Sequence, residues 1–154
     1  MRRKLFIACT ASGFFLVQAA LAETTPENAY KYRHQVMEAL GHHVGALSLI
    51  FTGKADYPDH LQAHADAIAA AGAQIKDIFP EGSGVENSEA LPAVWEKPDE
   101  FAAAVAASEE ATAALAKAVS TGDRKAIGGA FKKMGETCKG CHEGFREEHD
   151  HDHD

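Results

Sequence analysis

Apolar residues recur along this chain at steps of three and four, the spacing of one face of a helix, and they do so in four blocks. Val36, Met37, Leu40, Val44, Leu47 and Phe51 mark a long first helix. Thr25-Pro26-Glu27 opens it with a capping hydroxyl, a proline at the first helical position and an acid at the positive end of the dipole, and Gly53 ends it. Asp56-Tyr57-Pro58 starts a second helix, striped by Leu61, Ala65, Ile68, Gly72, Ile75 and Phe79 until Pro80 stops it. From Glu81 to Lys97 the period is lost among Gly82, Gly84, Pro92 and polar residues, which predicts a long connection folded back by Leu91, Val94 and Trp95. Pro98-Asp99-Glu100 opens a third helix with Phe101, Val105, Leu115 and Val119 on one face, completed by Ser108 and Thr112, and its many alanines favour helix. After Thr121-Gly122-Asp123 the fourth helix carries the clearest stripe, Ile127, Phe131, Met134, Cys138, Cys141 and Phe145. No strand alternation of useful length and no internal repeat interrupts this pattern. The predicted fold is all-α, an antiparallel four-helix bundle whose core can hold a cofactor.

The first residues follow another logic. Met1-Arg2-Arg3-Lys4 is a positive start, Leu5 to about Val17 is apolar, and Ala20-Leu21-Ala22 supplies the small residues of a cleavage site, so residues 1–22 read as a signal peptide cut after Ala22. The apolar run is too short to span a bilayer, and no other stretch is long enough, which predicts a soluble exported protein with no membrane insertion. Cys9 would leave with this segment, and Cys138 and Cys141 would be the remaining thiols. Cleavage removes Arg2, Arg3 and Lys4 but no acid, so 15 bases and 23 acids become 12 and 23, a net charge of −11 with neutral histidines. Such a surface repels nucleic acid and anionic lipid and favours basic partners. Residues 23–148 are one domain's worth of chain.

The chemistry is concentrated in Cys138-Lys139-Gly140-Cys141-His142. Two thiols three residues apart on a helix share a face, so both can form thioethers to the vinyl groups of one haem, with the adjacent imidazole aimed at the iron. This is the c-type haem attachment pattern, with His142 as proximal ligand. Other uses of the same residues fit less well. A zinc site needs two more ligands at suitable spacing, and no further cysteine remains. A redox pair of the thioredoxin type sits at the start of a helix near a βαβ pattern, whereas this pair lies late in a helix. A disulfide between these cysteines would close a tiny loop and leave His142 without a role. The expected cofactor is one covalent haem c, held within the bundle because both thiols lie on the apolar stripe. Covalent haem attachment and an export signal imply the same compartment, the periplasm.

A four-helix pattern with this motif on the last helix resembles the class II cytochromes c, cytochrome c′ and cytochrome c-556, over nearly the whole mature chain. Tyr32-Arg33 with Met37 four residues after the arginine resembles the first-helix signature of that family, and the haem motif followed by Phe145-Arg146 resembles the last-helix signature. Phe145 departs from it, since many members carry Tyr there. The resemblance implies that Arg33 lies near a haem propionate, Met37 faces the distal side of the iron, and Arg146 lies close to His142. Physical alternatives stand beside each of these: Arg33 pairing with a surface acid, Arg146 as a solvated cation at a helix end, Met37 as an ordinary core methionine.

Met37 decides between two functions. If it only covers the iron, the site is five-coordinate and admits NO or CO. If it is a ligand, the site is six-coordinate and suited to electron transfer with periplasmic redox partners. Neither use is catalytic, and Met37, Val36 and Leu40 cannot move a proton; His34, one turn earlier, is the nearest group that could. The expectation is therefore no enzyme activity. By resemblance the protein is a homodimer. The remaining histidines divide into His42 and His43, facing solvent or a partner; His60 and His64, one turn apart and able to share a metal or to be solvated; and His149, His151 and His153, alternating with acids in residues 149–154. This terminal run reads as a disordered tail or a weak Zn, Cu or Ni site.

Overall fold

The computed structural model describes residues 24–147; the signal segment and the His/Asp tail lie outside them. Five helices follow one another, α1 Pro26–Phe51, α2 Leu61–Gly72, α3 Ala93–Glu96, α4 Pro98–Thr121 and α5 Arg124–Phe145. The four longer ones form the bundle, in which α1 packs on α2, α2 on α4 and α4 on α5.

The ends of α1, the end of α4 and the start of α5 are where the sequence places them. The Thr25 hydroxyl accepts from the Asn28 amide at 3.3 Å, and Asp123 Oδ1 accepts from the amides of Lys125 and Ala126 at 2.8 and 3.2 Å. Each bond satisfies a donor that the first turn would leave unpaired. Gly53 and Gly122 follow α1 and α4 with φ of 74° and 71°, a left-handed turn that costs a glycine little.

The core joins Leu47 of α1, Ala65 and Ile68 of α2, Ala111, Leu115 and Val119 of α4, and Ile127 and Met134 of α5. The two polar residues on the α4 stripe are also buried, and each satisfies its hydroxyl within its own helix, Ser108 to the Ala104 carbonyl and Thr112 to the Glu109 carbonyl. Thr112 lies so close to Gly72 that a methyl group there would collide with its Oγ1 and come within 3.1 Å of its Cβ and Cγ2. The α2–α4 contact therefore depends on that glycine.

The second helix differs from the expectation of a continuous stripe to Phe79. It ends at Gly72, and a 3₁₀ turn over Ile75–Asp77 continues the path. The Gln74, Asp77 and Ile78 amides bond three residues back, to Ala71, Gln74 and Ile75. This tighter winding eclipses positions i and i+3, so Ile75 and Ile78 enter the core and Phe79 is half-buried. A second 3₁₀ turn, Pro58–His60, leads into α2.

The long connection is ordered by its contacts. Val94 of α3 is buried, and Trp95 Nε1 donates to the carbonyls of Phe79 and Pro80 at 3.3 and 3.2 Å. Beyond the last turn of α5, the Leu91 amide donates to the Phe145 carbonyl and the Glu147 amide to the Glu89 carbonyl. Residues 89–91 thus lie antiparallel to the end of α5, next to the cysteine motif.

Candidate haem site

Antiparallel neighbours in a bundle fix which residues share a level. At one end α1 and α5 meet: the Phe51 ring faces Gly128, close enough that a methyl group there would lie 3.5 Å from it. Arg124 locks this end, donating to the Phe51 carbonyl at 2.8 Å with its guanidinium 4.8 Å from the centre of the Phe51 ring. Among the described residues, α1 and α5 make few contacts overall. The rest of this seam runs toward the start of α1 and the end of α5.

Met37 and His142 lie on that stretch of the two helices. Met37 is fourteen residues before Phe51 and His142 fourteen after Gly128, about 21 Å of helix in each case. The same separation, close to four turns, keeps each residue near the face of its reference. Met37 is half-buried, as are Cys138 and Cys141, whereas Ile127 and Met134 further back along α5 are each 2% exposed. The stripe of α5 thus leaves the core as it reaches the cysteines, which is what a helix lining a cofactor cleft requires.

Electrostatics suit the same chemistry. Burial raises the thiol pKa of Cys138, against a weaker opposing hydrogen bond from Thr137, and burial with the neighbouring Cys138 raises that of Cys141. Both are free thiols, protonated at neutral pH. His142 is lowered, first by desolvation and then by the Arg146 charge, with Glu89 pulling the other way. A neutral imidazole is the form that ligates a metal. Arg146 lies close to His142, its amide donating to the His142 carbonyl at 3.0 Å. Its guanidinium grips Glu89 through Nε and Nη2 at 2.7 and 2.6 Å.

Arg33, one turn before Met37, is 5% exposed. Nη1 donates to the Ile78 carbonyl and Ser83 Oγ, and Nη2 to the Ser83 carbonyl and Ser88 Oγ, at 2.9 to 3.2 Å. The plane lies 4.7 Å from the Phe79 ring centre. Phe79 meets Phe101 edge-on, and Phe101 meets Phe145 in the same way, so aromatic contacts run from Arg33 across to the end of α5. Desolvation lowers the Arg33 pKa, and among the described residues no carboxylate stands within ion-pair distance of it. Ser83 and Ser88 are the partners that sequence reasoning missed. Their setting reads only as a polar turn, and nothing periodic links them to α1.

The other histidines are dispersed. His34 is exposed and lies 3.4 Å from Glu38. His60 stacks on Tyr57, and His64 meets His43 rather than His60. His149, His151 and His153 lie outside the described residues.

With this geometry in hand, the comparisons are decisive. A model of the cytochrome C′ family matches residues 28–146. The chain belongs to the cytochrome c′ family. It is 44% identical to cytochrome c′ of Pararhodospirillum photometricum over 80% of this chain and 99% of that one. It is also 31% identical to cytochrome c-556 of Agrobacterium tumefaciens over 74% and 93%. Cytochrome c prime from Shewanella frigidimarina superposes with a TM-score of 0.77 at 28% identity, covering 82% of this chain and 99% of that one. A nitric oxide complex of a variant cytochrome c prime from Alcaligenes xylosoxidans superposes at 0.75 with 26% identity over 82% and 99%. The carbon monoxide-bound form of another variant from that organism gives 0.74 and 26% over 80% and 98%. The chain is therefore a c-type haem protein, a four-helix bundle with covalently attached haem c, that binds gas or transfers electrons. Its two cysteines late in α5 fit the attachment motif. The described residues contain no helix long and apolar enough to cross a membrane.

Proposed function

We propose that Cys138 and Cys141 carry the haem, that His142 is its proximal ligand, and that the protein works in the periplasm by binding NO or CO, or by passing electrons to redox partners, without turning over a substrate. The observation that carries this reading is the Cys-Lys-Gly-Cys-His run late in α5, both of its thiols half-buried, in a chain that the cytochrome C′ family model matches. The bound haem supplies a redox-active iron that accepts axial ligands. The side chains supply the rest. Cys138 and Cys141 would anchor the haem, the neutral His142 imidazole would hold its iron, and Met37 would cover the iron or bind it. Arg33 is a buried cation whose counter-charge a propionate would provide. Its terminal nitrogens hold the connection, so a propionate would act through Nε–H or through the field.

The absence of catalysis rests on the residues around Met37. Val36 and Leu40 carry no proton, and His34 is turned to solvent beside Glu38. Export rests on the Met1–Ala22 segment, and the homodimer on the family resemblance. Tyr32, Leu49 and Tyr57 are large exposed apolar groups available to such an interface, and an elution volume matching a monomer at all concentrations would count against it.

Optical spectra of the exported protein, oxidised, reduced, and reduced under CO, test the site. A high-spin spectrum that shifts under CO is the expected result for a covering Met37. In that case Met37→Ala speeds CO binding and leaves the spin state unchanged. The electron-carrier reading, which the c-556 relative favours, predicts instead a low-spin spectrum indifferent to CO that Met37→Ala converts to high spin. A protein exported without covalent haem would sink both.

A further inference from the structure

Among the described residues, one pair of imidazoles meets, on a face of α1 turned away from Met37. His43 on α1 and His64 on α2 bring their Nδ1 atoms to 2.9 Å, with ring centres 5.2 Å apart and planes inclined at 51°. His43 lies six residues beyond Met37, about 240° around the helix, so it faces α2 and not the seam. Both rings are half-buried, and the two helices that carry them pack directly on each other, which fixes the spacing through the backbone.

We propose that His43 and His64 form a two-histidine site for a divalent transition-metal ion, Cu(II) foremost, separate from the haem iron. The distance admits one ion between the two rings. Two imidazole nitrogens at 2.0–2.1 Å from one ion lie about 2.9 Å apart at a right angle and about 3.3 Å apart at the tetrahedral angle. A small rotation of either ring takes the 2.9 Å hydrogen bond of the metal-free protein to either spacing. Cu(II) stands foremost because it heads the affinity order for nitrogen ligands and accepts tetragonal positions completed by water. In the metal-free protein one Nδ1–H donates to the other Nδ1. The ion takes the place of that shared proton, which moves to Nε2 of the donor ring, so both imidazoles bind as neutral Nε2–H tautomers, no net proton is released and no electron moves. Among the described residues no third His, Cys, Asp or Glu completes a cluster, so water fills the remaining positions and the site stays open to an exogenous ligand. His60, which a one-turn spacing suggests as the partner of His64, is instead stacked on Tyr57.

The test must separate this pair from the terminal histidines. The haem-loaded, full-length protein carrying His149→Asn, His151→Asn and His153→Asn is titrated with Cu(II) by calorimetry, and the complex is examined by EPR. One equivalent is expected, with superhyperfine splitting from two nitrogens. Adding His64→Gln or His43→Gln weakens binding by roughly tenfold or more, whereas His60→Gln leaves it unchanged. Absence of binding in the tail-substituted protein, or equal binding by all three glutamine variants, overturns the proposal. Should either variant lose its haem spectrum, thermal unfolding of the tail-substituted protein decides. An ion bridging α1 and α2 raises Tm, and an unmoved Tm at saturating Cu(II) overturns it.

Discussion

At Arg33, a single side chain does two jobs that are usually separate. Burying a guanidinium is costly unless its donors are satisfied, and here the Ile78 carbonyl, both oxygens of Ser83 and the Ser88 hydroxyl satisfy the terminal nitrogens. The same bonds hold the connection after α2 against α1, one turn from Met37. Lysine cannot reproduce this fork, since its ammonium is a point charge on a flexible stem. Arg33→Lys is expected to destabilise the haem-loaded protein by about 3 kcal/mol in urea unfolding. Lys31→Met, two residues away, removes a surface pair with Glu27 whose partners are 65% and 50% exposed and should change nothing measurable. Equal losses for the two would mean that the Arg33 bonds contribute no more than a surface charge.

Among the elements, the α2–α4 contact shows how a helix propensity can be overruled. Alanine is the better helix former by about 1 kcal/mol. At Gly72, however, the added methyl meets Thr112, whose Oγ1 is held to the Glu109 carbonyl and whose Cβ is fixed to the backbone. Gly72→Ala should therefore destabilise by about 1–3 kcal/mol, the usual cost of overpacking. In the Thr112→Ala background the same change should cost less, because the obstructing atoms are gone. A double-mutant cycle measures the coupling, and additive effects would show that the two helices are not in the contact described.

For the whole molecule, the consequential feature is the difference between the two ends of the α1–α5 seam. The Phe51–Gly128 end is closed by a ring, a cation and a carbonyl, while among the described residues α1 and α5 make few contacts overall. Without haem, local stability should follow that difference. In Cys138→Ala/Cys141→Ala protein, amides near Met37 and His142 are expected to exchange with solvent faster than those near Leu47 and Ile127, and haem attachment should slow them selectively. Uniform protection along both helices in the haem-free protein would show that the seam is closed without its cofactor.

The sequence alone determined what depends on near neighbours along the chain. The caps at Thr25 and Asp123, the turns at Gly53 and Gly122, the buried stripe of α5 and the Cys-Lys-Gly-Cys-His motif all involve residues a few positions apart, where helix geometry leaves little choice. Even there, the end of α2 was legible only in part, since a 3₁₀ turn and an α-helix differ by a small tightening that an apolar stripe hardly records. The tertiary structure decided the contacts between distant residues. Arg33 finds Ser83 and Ser88 across 50 and 55 residues, and His64 turns to His43, 21 residues away, instead of to its helical neighbour His60. Such pairings depend on the path of an aperiodic connection and on the register of packed helices. A pattern of apolar positions says that faces meet, but only the packed bundle sets which residues stand opposite each other, as it does for Gly72 and Thr112.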